Sequence, residues 1–256
     1  MAVPSTGSYH SGLSGLVLPI PKYRFPPGFE DASRLQYYAS IMNSIEINSS
    51  FYKVPQATTV GKWADAVGPD FTFTFKLWKQ ITHCNGLHFE KADVEIFYRS
   101  IAAVGEKKGC LLIQFPPKLG IDSFSQFKVL LESIKEIDPT GMWPLAVEFR
   151  HRSWYDDSVY HLLDQYTATL VIQDIPKSAT PMIDLESYTI YLRFHGPTGN
   201  YGESYSTEVL EEHAEYVLDW MSEGKKVFTY FNNTSGNAFE NLQTFNAFIK
   251  QRLTVD

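Results

Sequence analysis

Cysteine is nearly absent from this sequence of 256 residues, which contains only Cys84 and Cys110. Neither residue belongs to a CxxC motif, so nothing indicates a disulfide framework or a cysteine-rich zinc site. Unpaired thiols are typical of a reducing compartment. We therefore expect two free cysteines and a cytoplasmic location.

Long hydrophobic runs are also missing. The apolar stretch at residues 13–18 is interrupted by Ser14 and Gly15, and no basic segment precedes it, so no signal peptide is predicted. No run approaches the ~18 apolar residues of a membrane-spanning helix. We therefore expect no membrane partner.

Two further absences bear on nucleotide and nucleic-acid binding. No GxGxxG, GKS or GKT loop follows an apolar run, which removes the usual nucleotide-binding reasons for an open sheet. Lys and Arg number 22 against 29 Asp and Glu, so the net charge is −7. General nucleic-acid binding depends on many spread basic residues, so this partner is not favoured, although a local basic pocket is allowed. These features do not define the oligomeric state.

Apolar runs rich in β-branched and aromatic residues are what the sequence does contain. Seven of them are found, at residues 44–48, 71–77, 110–115, 145–149, 169–173, 189–194 and 227–231. Segments of helical periodicity separate most of these runs, and the alternation predicts a parallel sheet of βαβ units covered on both faces. With this chain length it predicts one domain, residues 1–256, folded as a TIM-type (β/α)8 barrel.

Two parts of the predicted barrel are irregular. Residues 1–32 are rich in Ser, Gly and Pro and predict mostly loop, with a short strand near residues 16–20, so the first βα unit is irregular. Residues 175–187 contain Pro176 and Pro181 and leave little room for a full helix, so the unit after strand 6 is reduced.

Polar and charged residues gather where the predicted strands end. Because side chains alternate along a strand, Glu46 shares a face with Asn48, with an apolar residue between them. Glu148 and Arg150 are related in the same way. Barrel enzymes place their active sites at the carboxyl ends of the strands, so we predict a functional site there. The alternative is a structural ion network in which Glu148 neutralises Arg150 or Arg193.

Six motifs resemble, in order and spacing, the YecE-like proteins of domain of unknown function 72. They are "LQYYASIMNSIEINSSFYKVP", "FTFKLWKQITH", "LLIQFPP", "VEFRHRSWY", "YLRFHGP" and "YFNNT". The resemblance extends over about residues 30 to 250 and implies a TIM barrel, but no defined reaction. Residues 200–206, "NYGESYS", resemble a further family element, whereas residues 5–12 depart from the family pattern.

The resemblance and the strand ends together indicate a set of site residues. For catalysis we predict Glu148 or Asp174 as base, His195 as acid or base, and Lys76 as electrostatic stabiliser. The predicted substrate-binding residues are Glu46, Asn48, Tyr52, His83, Gln114, Arg150, Trp154, Arg193, Asn232 and Asn233.

Two arginines and a lysine in this set favour an anionic ligand, because Arg grips phosphate or carboxylate through a bidentate fork. Aromatic faces at Phe51, Tyr52 and Trp154 can stack a sugar or a base. We therefore predict an enzyme of hydrolase or isomerase type that acts on a phosphate-bearing small molecule or a nucleic-acid end. The rival prediction is a non-catalytic nucleic-acid-binding protein.

Two alternatives concern individual residues. Lys76 either forms a Schiff base, which requires a depressed pKa, or simply pairs with a carboxylate such as Glu46. Glu46, Glu148, Asp174 and His195 could ligate a divalent metal, as in a metal-dependent phosphoesterase or sugar isomerase. Nearby Arg and Lys would compete for those carboxylates. We predict no cofactor and no metal ligands.

Overall fold

The computed structural model describes residues 7–254, in which strands and helices alternate along most of the chain. The strands are β1 (Ser8–Leu13), β2 (Ser44–Ile47), β3 (Thr72–Lys76), β4 (Lys108–Gln114), β5 (Leu145–Glu148), β6 (Thr169–Leu170), β7 (Ile172–Gln173), β8 (Thr189–Phe194) and β9 (Lys226–Phe231). The helices are α1 (Arg34–Ile41), α2 (Ser49–Tyr52), α3 (Ala57–Asp65), α4 (Lys79–Thr82), α5 (Lys91–Ile101), α6 (Phe124–Ile137), α7 (Asp157–Gln165), α8 (Thr207–Ser222) and α9 (Ala238–Leu253). Within these residues, no helix has the length and apolar character needed to cross a membrane.

All strand pairs are parallel and form two sheets, with strand orders β1-β9-β8-β7 and β2-β3-β4-β5-β6. Only Val171 separates β6 from β7, so one extended segment leaves the second sheet and joins the first. An isolated parallel bridge between Ser14 and Glu46 connects the sheets on the other side. The α/β class with parallel strands is therefore confirmed. The strand pairing among residues 7–254 does not form one closed sheet.

All seven apolar runs predicted as strands are strands, although the run at residues 169–173 is divided at Val171. Residues 174–188 contain no helix, in agreement with the reduced unit predicted there. The short strand predicted near residues 16–20 is wrong, because the first strand lies at Ser8–Leu13. Residues 15–33 are loop apart from a 3-10 turn at Lys22–Arg24, in agreement with the prediction of a mostly loop-like segment. Residues 1–6, also predicted as loop, lie outside the described part of the chain.

Close backbone approach explains why β1 forms without an apolar run. Tyr38 lies between β1 and β2, where its hydroxyl accepts from the Leu13 amide at 2.7 Å and donates to the Ser44 carbonyl at 2.9 Å. A Cβ atom on Gly12 would lie 2.0 Å from the Ser44 carbonyl oxygen. Gly12 is therefore required for β1 to approach β2.

The buried apolar residues form two clusters on opposite faces of the strands. The larger packs the strands against the helices, and the smaller consists of Cys110, Leu112, Ala146, Val171, Tyr191, Phe228 and Tyr230. Glu148 follows Ala146 by two residues, and Arg193 follows Tyr191 by two. Both charged residues therefore lie on the face of the smaller cluster, at the carboxyl ends of their strands.

We expect Gly12→Ala to lower the free energy of unfolding by about 2 kcal/mol, because the new methyl group overlaps backbone that cannot move away cheaply. Urea unfolding measures the change. The control is Gly68→Ala at an exposed position with nothing within 4 Å of the added Cβ, where the change should stay within about 0.5 kcal/mol. Equal stability of the two variants would contradict the close approach.

Candidate functional site

Arg193, at the end of β8, lies at the centre of a buried ion cluster with Glu46 and Glu148. Its side chain is 1% exposed and both carboxylates are fully buried. Nε and Nη2 donate to the two oxygens of Glu46 at 2.8 to 3.2 Å, and Nη1 donates to Glu148 at 2.9 Å. Burial alone would raise the pKa of each carboxyl, but Arg193 holds the pKa of Glu46 below its usual range, and Arg150 together with Arg193 does the same for Glu148. The carboxylates are therefore ionised and paired.

Arg150 extends this cluster towards the protein surface. Its side chain is 10% exposed, and its Nε donates to the second oxygen of Glu148. Nη1 donates to the Tyr201 hydroxyl at 3.1 Å, and Nη2 lies 2.9 Å from Nε2 of His195. Glu148 therefore lies between two guanidiniums, one deeply buried and one close to solvent.

His195 is held in one tautomer by its neighbours. Nε2 faces Arg150 at 2.9 Å and Arg193 at 3.1 Å, and guanidinium groups can only donate, so Nε2 accepts. The ring proton then lies on Nδ1, which is 3.3 Å from Asp174. Burial lowers the pKa of His195, and the arginines act in the same direction. The neutral imidazole therefore orients the two guanidiniums.

A cavity of about 180 Å³ opens in front of the ion cluster at the carboxyl ends of the strands. Its lining combines cations, amides and aromatic rings: Asn48, Phe51, Tyr52, Lys76, Arg150, Arg193, Tyr201 and Asn232. Glu46 and Glu148 do not line it, because they lie behind the arginines. The cavity wall therefore presents positive charge and hydrogen-bond donors.

Lys76, at the end of β3, has no ion-pair partner among residues 7–254. Its Nζ lies 4.2 Å from the centre of the Phe51 ring. The pairing with Glu46 considered above is wrong, because Arg193 occupies that carboxylate. Burial, followed by the charge of Arg193, lowers the pKa of Lys76 to about 7.

The structure brings most of the predicted site residues together. Those that line the cavity are Asn48, Tyr52, Lys76, Arg150, Arg193 and Asn232. A second layer behind them contains Glu46, Glu148, His195 and Asp174. Glu148 is a poor candidate for the base, since its pKa is held down by two arginines. Asp174 accepts from His195 and from the Tyr205 hydroxyl.

Three predicted residues do not line the cavity. His83 packs edge-on against Phe51, with ring centres 4.7 Å apart, and its Nδ1 lies 2.9 Å from the Thr82 hydroxyl. The amide nitrogen of Gln114 donates to the adjacent carbonyl of Phe115. The third, Asn233, is fully buried and its side chain binds within the fold.

The predicted role of Trp154 in ligand stacking is wrong. Its side chain is fully buried, and its indole nitrogen donates to the Leu119 carbonyl at 2.7 Å. The ring stacks on Phe149 with centres 4.8 Å apart and on Phe115 with centres 5.9 Å apart, within the larger core cluster. A short 3-10 turn at Arg152–Trp154 directs the indole into the core, although charged residues precede it in sequence.

Tyr201 is a cavity residue that the sequence reasoning did not identify. Its φ of +61° is in the left-handed region, which is uncommon for a residue other than glycine. The loop is held by bonds from the Tyr201 amide to the His195 carbonyl at 2.7 Å and from the Ser235 amide to the Tyr201 carbonyl at 2.9 Å. The only sequence signal was its place in the "NYGESYS" element.

The carboxylates do not form a metal site. Within residues 7–254, no three His, Cys, Asp or Glu side chains are grouped so that they could hold a metal ion. Arg193 binds Glu46 and Glu148, and Asp174 is engaged by His195. The four residues considered as ligands therefore do not fit a divalent ion.

Comparison with known proteins places these features in a family context. Residues 17–255 match the model of "Protein of unknown function DUF72". The UPF0759 protein YunF of Bacillus subtilis is 25% identical over 242 residues, covering 83% of this chain and 84% of that protein. The UPF0759 protein YecE of Escherichia coli K12 is 26% identical over 121 residues, covering 47% of this chain and 43% of that protein.

Two solved structures have the same fold. The crystal structure of the DUF72 family protein TM1631 from Thermotoga maritima gives a TM-score of 0.75 at 26% identity, covering 96% of this chain and 99% of that one. A DUF72 family protein from Enterococcus faecalis gives a TM-score of 0.79 at 23% identity, covering 94% and 95%, and this likeness shows the fold alone.

We expect Glu148→Gln to lower the free energy of unfolding at pH 7 by about 3 kcal/mol, because it leaves buried guanidinium charge undercompensated. The difference in unfolding free energy between wild type and Glu148→Gln should narrow as the pH falls below the ordinary carboxyl pKa of 4.5. The folded-state pKa of Glu148 is lowered, so its stabilising contribution is present above that pH and is lost below it, whereas Gln does not titrate.

Urea unfolding between about pH 3 and pH 7 measures both effects. The control is Glu132→Gln, which removes an exposed carboxylate 4.0 Å from Lys128 and should change stability by about 0.5 kcal/mol or less. If the difference in unfolding free energy between wild type and Glu148→Gln did not change with pH, Glu148 would not be held as a carboxylate in the folded protein.

Proposed function

This chain belongs to the DUF72 family, and from that premise we propose that it is an enzyme acting on a phosphate-bearing small molecule. The phosphate would bind in the cavity in front of Arg193. The observation that carries the proposal is the separation of charge at this site. Lys76, Arg150 and Arg193 line the cavity, whereas the carboxylates that balance the arginines are buried behind them.

Counting hydrogen-bond donors distinguishes the two arginines. A guanidinium has five N–H groups. The nitrogens of Arg193 bond to Glu46, Glu148, His195 and Asn48. Arg193 therefore mainly stabilises the fold and adds positive charge to the cavity wall. Arg150 has one contact from each of its three nitrogens, which leaves two N–H groups without a partner among the described residues. One of these groups remains on each terminal nitrogen, so both terminal nitrogens can donate a charge-assisted hydrogen bond to an anion.

The remaining polar groups of the cavity support an anion over a cation. The Tyr201 hydroxyl accepts from Arg150, so its own proton is available to a ligand. Asn48 receives Arg193 at its amide oxygen at 3.5 Å, so its amide nitrogen is available as a donor. The ammonium form of Lys76 adds three further donors.

The size of the cavity bears on the kind of substrate. Its volume of about 180 Å³ is below the ~300 Å³ at which pockets for whole drug-sized ligands begin. It therefore suits a phosphate group and a few attached atoms. Tyr52 at the rim is 68% exposed, so it offers a ring face on which a sugar or base outside the cavity could stack.

For catalysis we assign proton transfer to Lys76 rather than to Glu148. A group with a pKa of about 7 is present in both protonation states at neutral pH, which suits general acid–base chemistry. Arg150 and Arg193 would stabilise negative charge that develops on the substrate. These roles fit the hydrolase or isomerase type of reaction.

We also propose that the two sheets form one TIM-type barrel with two interrupted seams. Counting β6 and β7 as one interrupted strand makes eight strands within residues 7–254. The Ser14–Glu46 bridge lies at one seam, and at the other the Val171 amide donates to the Val147 carbonyl at 2.9 Å. The polar site then lies where barrel enzymes place their active sites.

We expect inorganic phosphate to bind wild-type protein, and Arg150→Ala to weaken binding about tenfold or more, since a hydrogen bond to a charged group contributes about 1.5–3 kcal/mol. Isothermal titration calorimetry measures the affinity. Arg152→Ala is the matched control, because Arg152 is exposed in the same loop and does not line the cavity. Equal affinities for the two variants would refute the assignment.

Turnover of phosphoesters and phosphosugars is expected for wild type and should fall about 100-fold or more in Lys76→Met, the usual scale for loss of an acid–base group. Lys79→Met is the control, because Lys79 is exposed on α4. Retained turnover in Lys76→Met would remove Lys76 from the mechanism. Salt-sensitive binding of an oligonucleotide without any turnover would favour the nucleic-acid-binding alternative.

A further inference from the structure

We infer that Lys76 is a covalent catalytic residue, whose amine forms an imine with the carbonyl group of a phosphate-bearing aldehyde or ketone. The inference rests on the proposed function. It narrows the substrate class from phosphate compounds in general to those that also carry a carbonyl, and it replaces the proton-transfer role of Lys76 with nucleophilic attack on that carbonyl. It starts from the position of the amine in the cavity wall.

The amine of Lys76 is available for reaction because the nearby carboxylates are occupied. Glu46 is bound by Arg193, and Glu148 is bound by both Arg193 and Arg150. No ion pair within residues 7–254 includes Lys76. The Phe51 ring, 4.2 Å below Nζ, supports the amine from one side without offering an acceptor oxygen.

The charges that face Lys76 favour its neutral form. Burial and the guanidinium of Arg193 lower the pKa of Lys76 to about 7, and Arg150 acts in the same direction against the opposing carboxylates Glu46 and Glu148. Burial, and then Lys76 itself, lowers the pKa of His83 to about 4, so the imidazole adds no charge at neutral pH. A substantial fraction of Lys76 is therefore neutral at pH 7, as an amine nucleophile requires.

The proposed step balances without any oxidant or reductant. The lone pair on Nζ attacks the carbonyl carbon, and one of the two amine protons moves to the carbonyl oxygen to give a carbinolamine. Loss of that oxygen as water, with the second amine proton, leaves a carbon–nitrogen double bond. The two available N–H groups of Arg150 bind the phosphate of the same molecule, which holds the carbonyl near Nζ. Once protonated, the imine withdraws electrons from the neighbouring carbon, as an isomerase-type reaction needs.

Reductive trapping with glycolaldehyde phosphate tests the inference. Wild-type protein is incubated with the probe and sodium cyanoborohydride at neutral pH, and the modified lysines are located by peptide mass spectrometry. We expect Lys76 to be modified at least tenfold faster than the exposed Lys79. Glycolaldehyde, which lacks the phosphate, should modify Lys76 about tenfold more slowly than the phosphorylated probe, while Lys79 should not distinguish the two.

Two variants make the trapping experiment decisive. Lys76→Arg keeps the cation but cannot form an imine, so it should retain phosphate binding by calorimetry and lose the fast-trapped site. Arg150→Ala should remove the preference of Lys76 for the phosphorylated probe. Slow trapping of wild-type Lys76 in protein that still binds phosphate would overturn the imine and leave the proposed anion binding intact.

Failure of the proposed phosphate binding would give a different result from failure of the imine. Fast trapping of Lys76 by both probes, in protein that does not bind phosphate, would overturn the phosphate-bearing substrate class together with the proposed function. The imine chemistry and the anion site are thus read out by different measurements on the same protein.

Discussion

The pairing of one guanidinium with two carboxylates is the interaction on which the rest of this site depends. Arg193 belongs to β8 in one sheet, whereas Glu46 and Glu148 belong to β2 and β5 in the other. Three buried charges are tolerated only because each has a close partner of opposite sign. The same contacts join the two sheets at the carboxyl ends of the strands and fix the back wall of the cavity.

The chemistry of the cavity follows from how this cluster distributes its charges. Both carboxylates are turned away from the cavity. The ring proton of His195 lies on Nδ1, so Nε2 accepts hydrogen bonds from the two arginines. Lys76 is left beside cations without an acid to neutralise it. Its lowered pKa is therefore a consequence of burial first and then of the charge of Arg193, which also occupies carboxylates that could have paired with the lysine.

The sequence predicted the strands well where an apolar run determines them, and alternation alone placed Glu46 with Asn48, and Glu148 with Arg150, on the polar side of their strand ends. It failed at β1, because the pairing of "SYHSGL" depends on the absence of a side chain at Gly12 rather than on apolar residues. It also could not assign Arg193 to its carboxylates, since distances between strands far apart in sequence decide that pairing. Trp154 and Tyr201 were misjudged or missed because local backbone turns determine where their rings point.

The buried ion cluster and the cavity wall in front of it are constrained in different ways, the first by folding and the second by chemistry. Loss of any member of the Glu46, Glu148 and Arg193 cluster leaves buried charge undercompensated, so folding alone favours keeping these residues whether or not a ligand is used. Lys76 is under no such constraint, because it forms no ion pair with any residue between 7 and 254. Among related chains, an intact cluster therefore reports only a stable fold, and the residue at the position of Lys76 is the better indicator of shared chemistry.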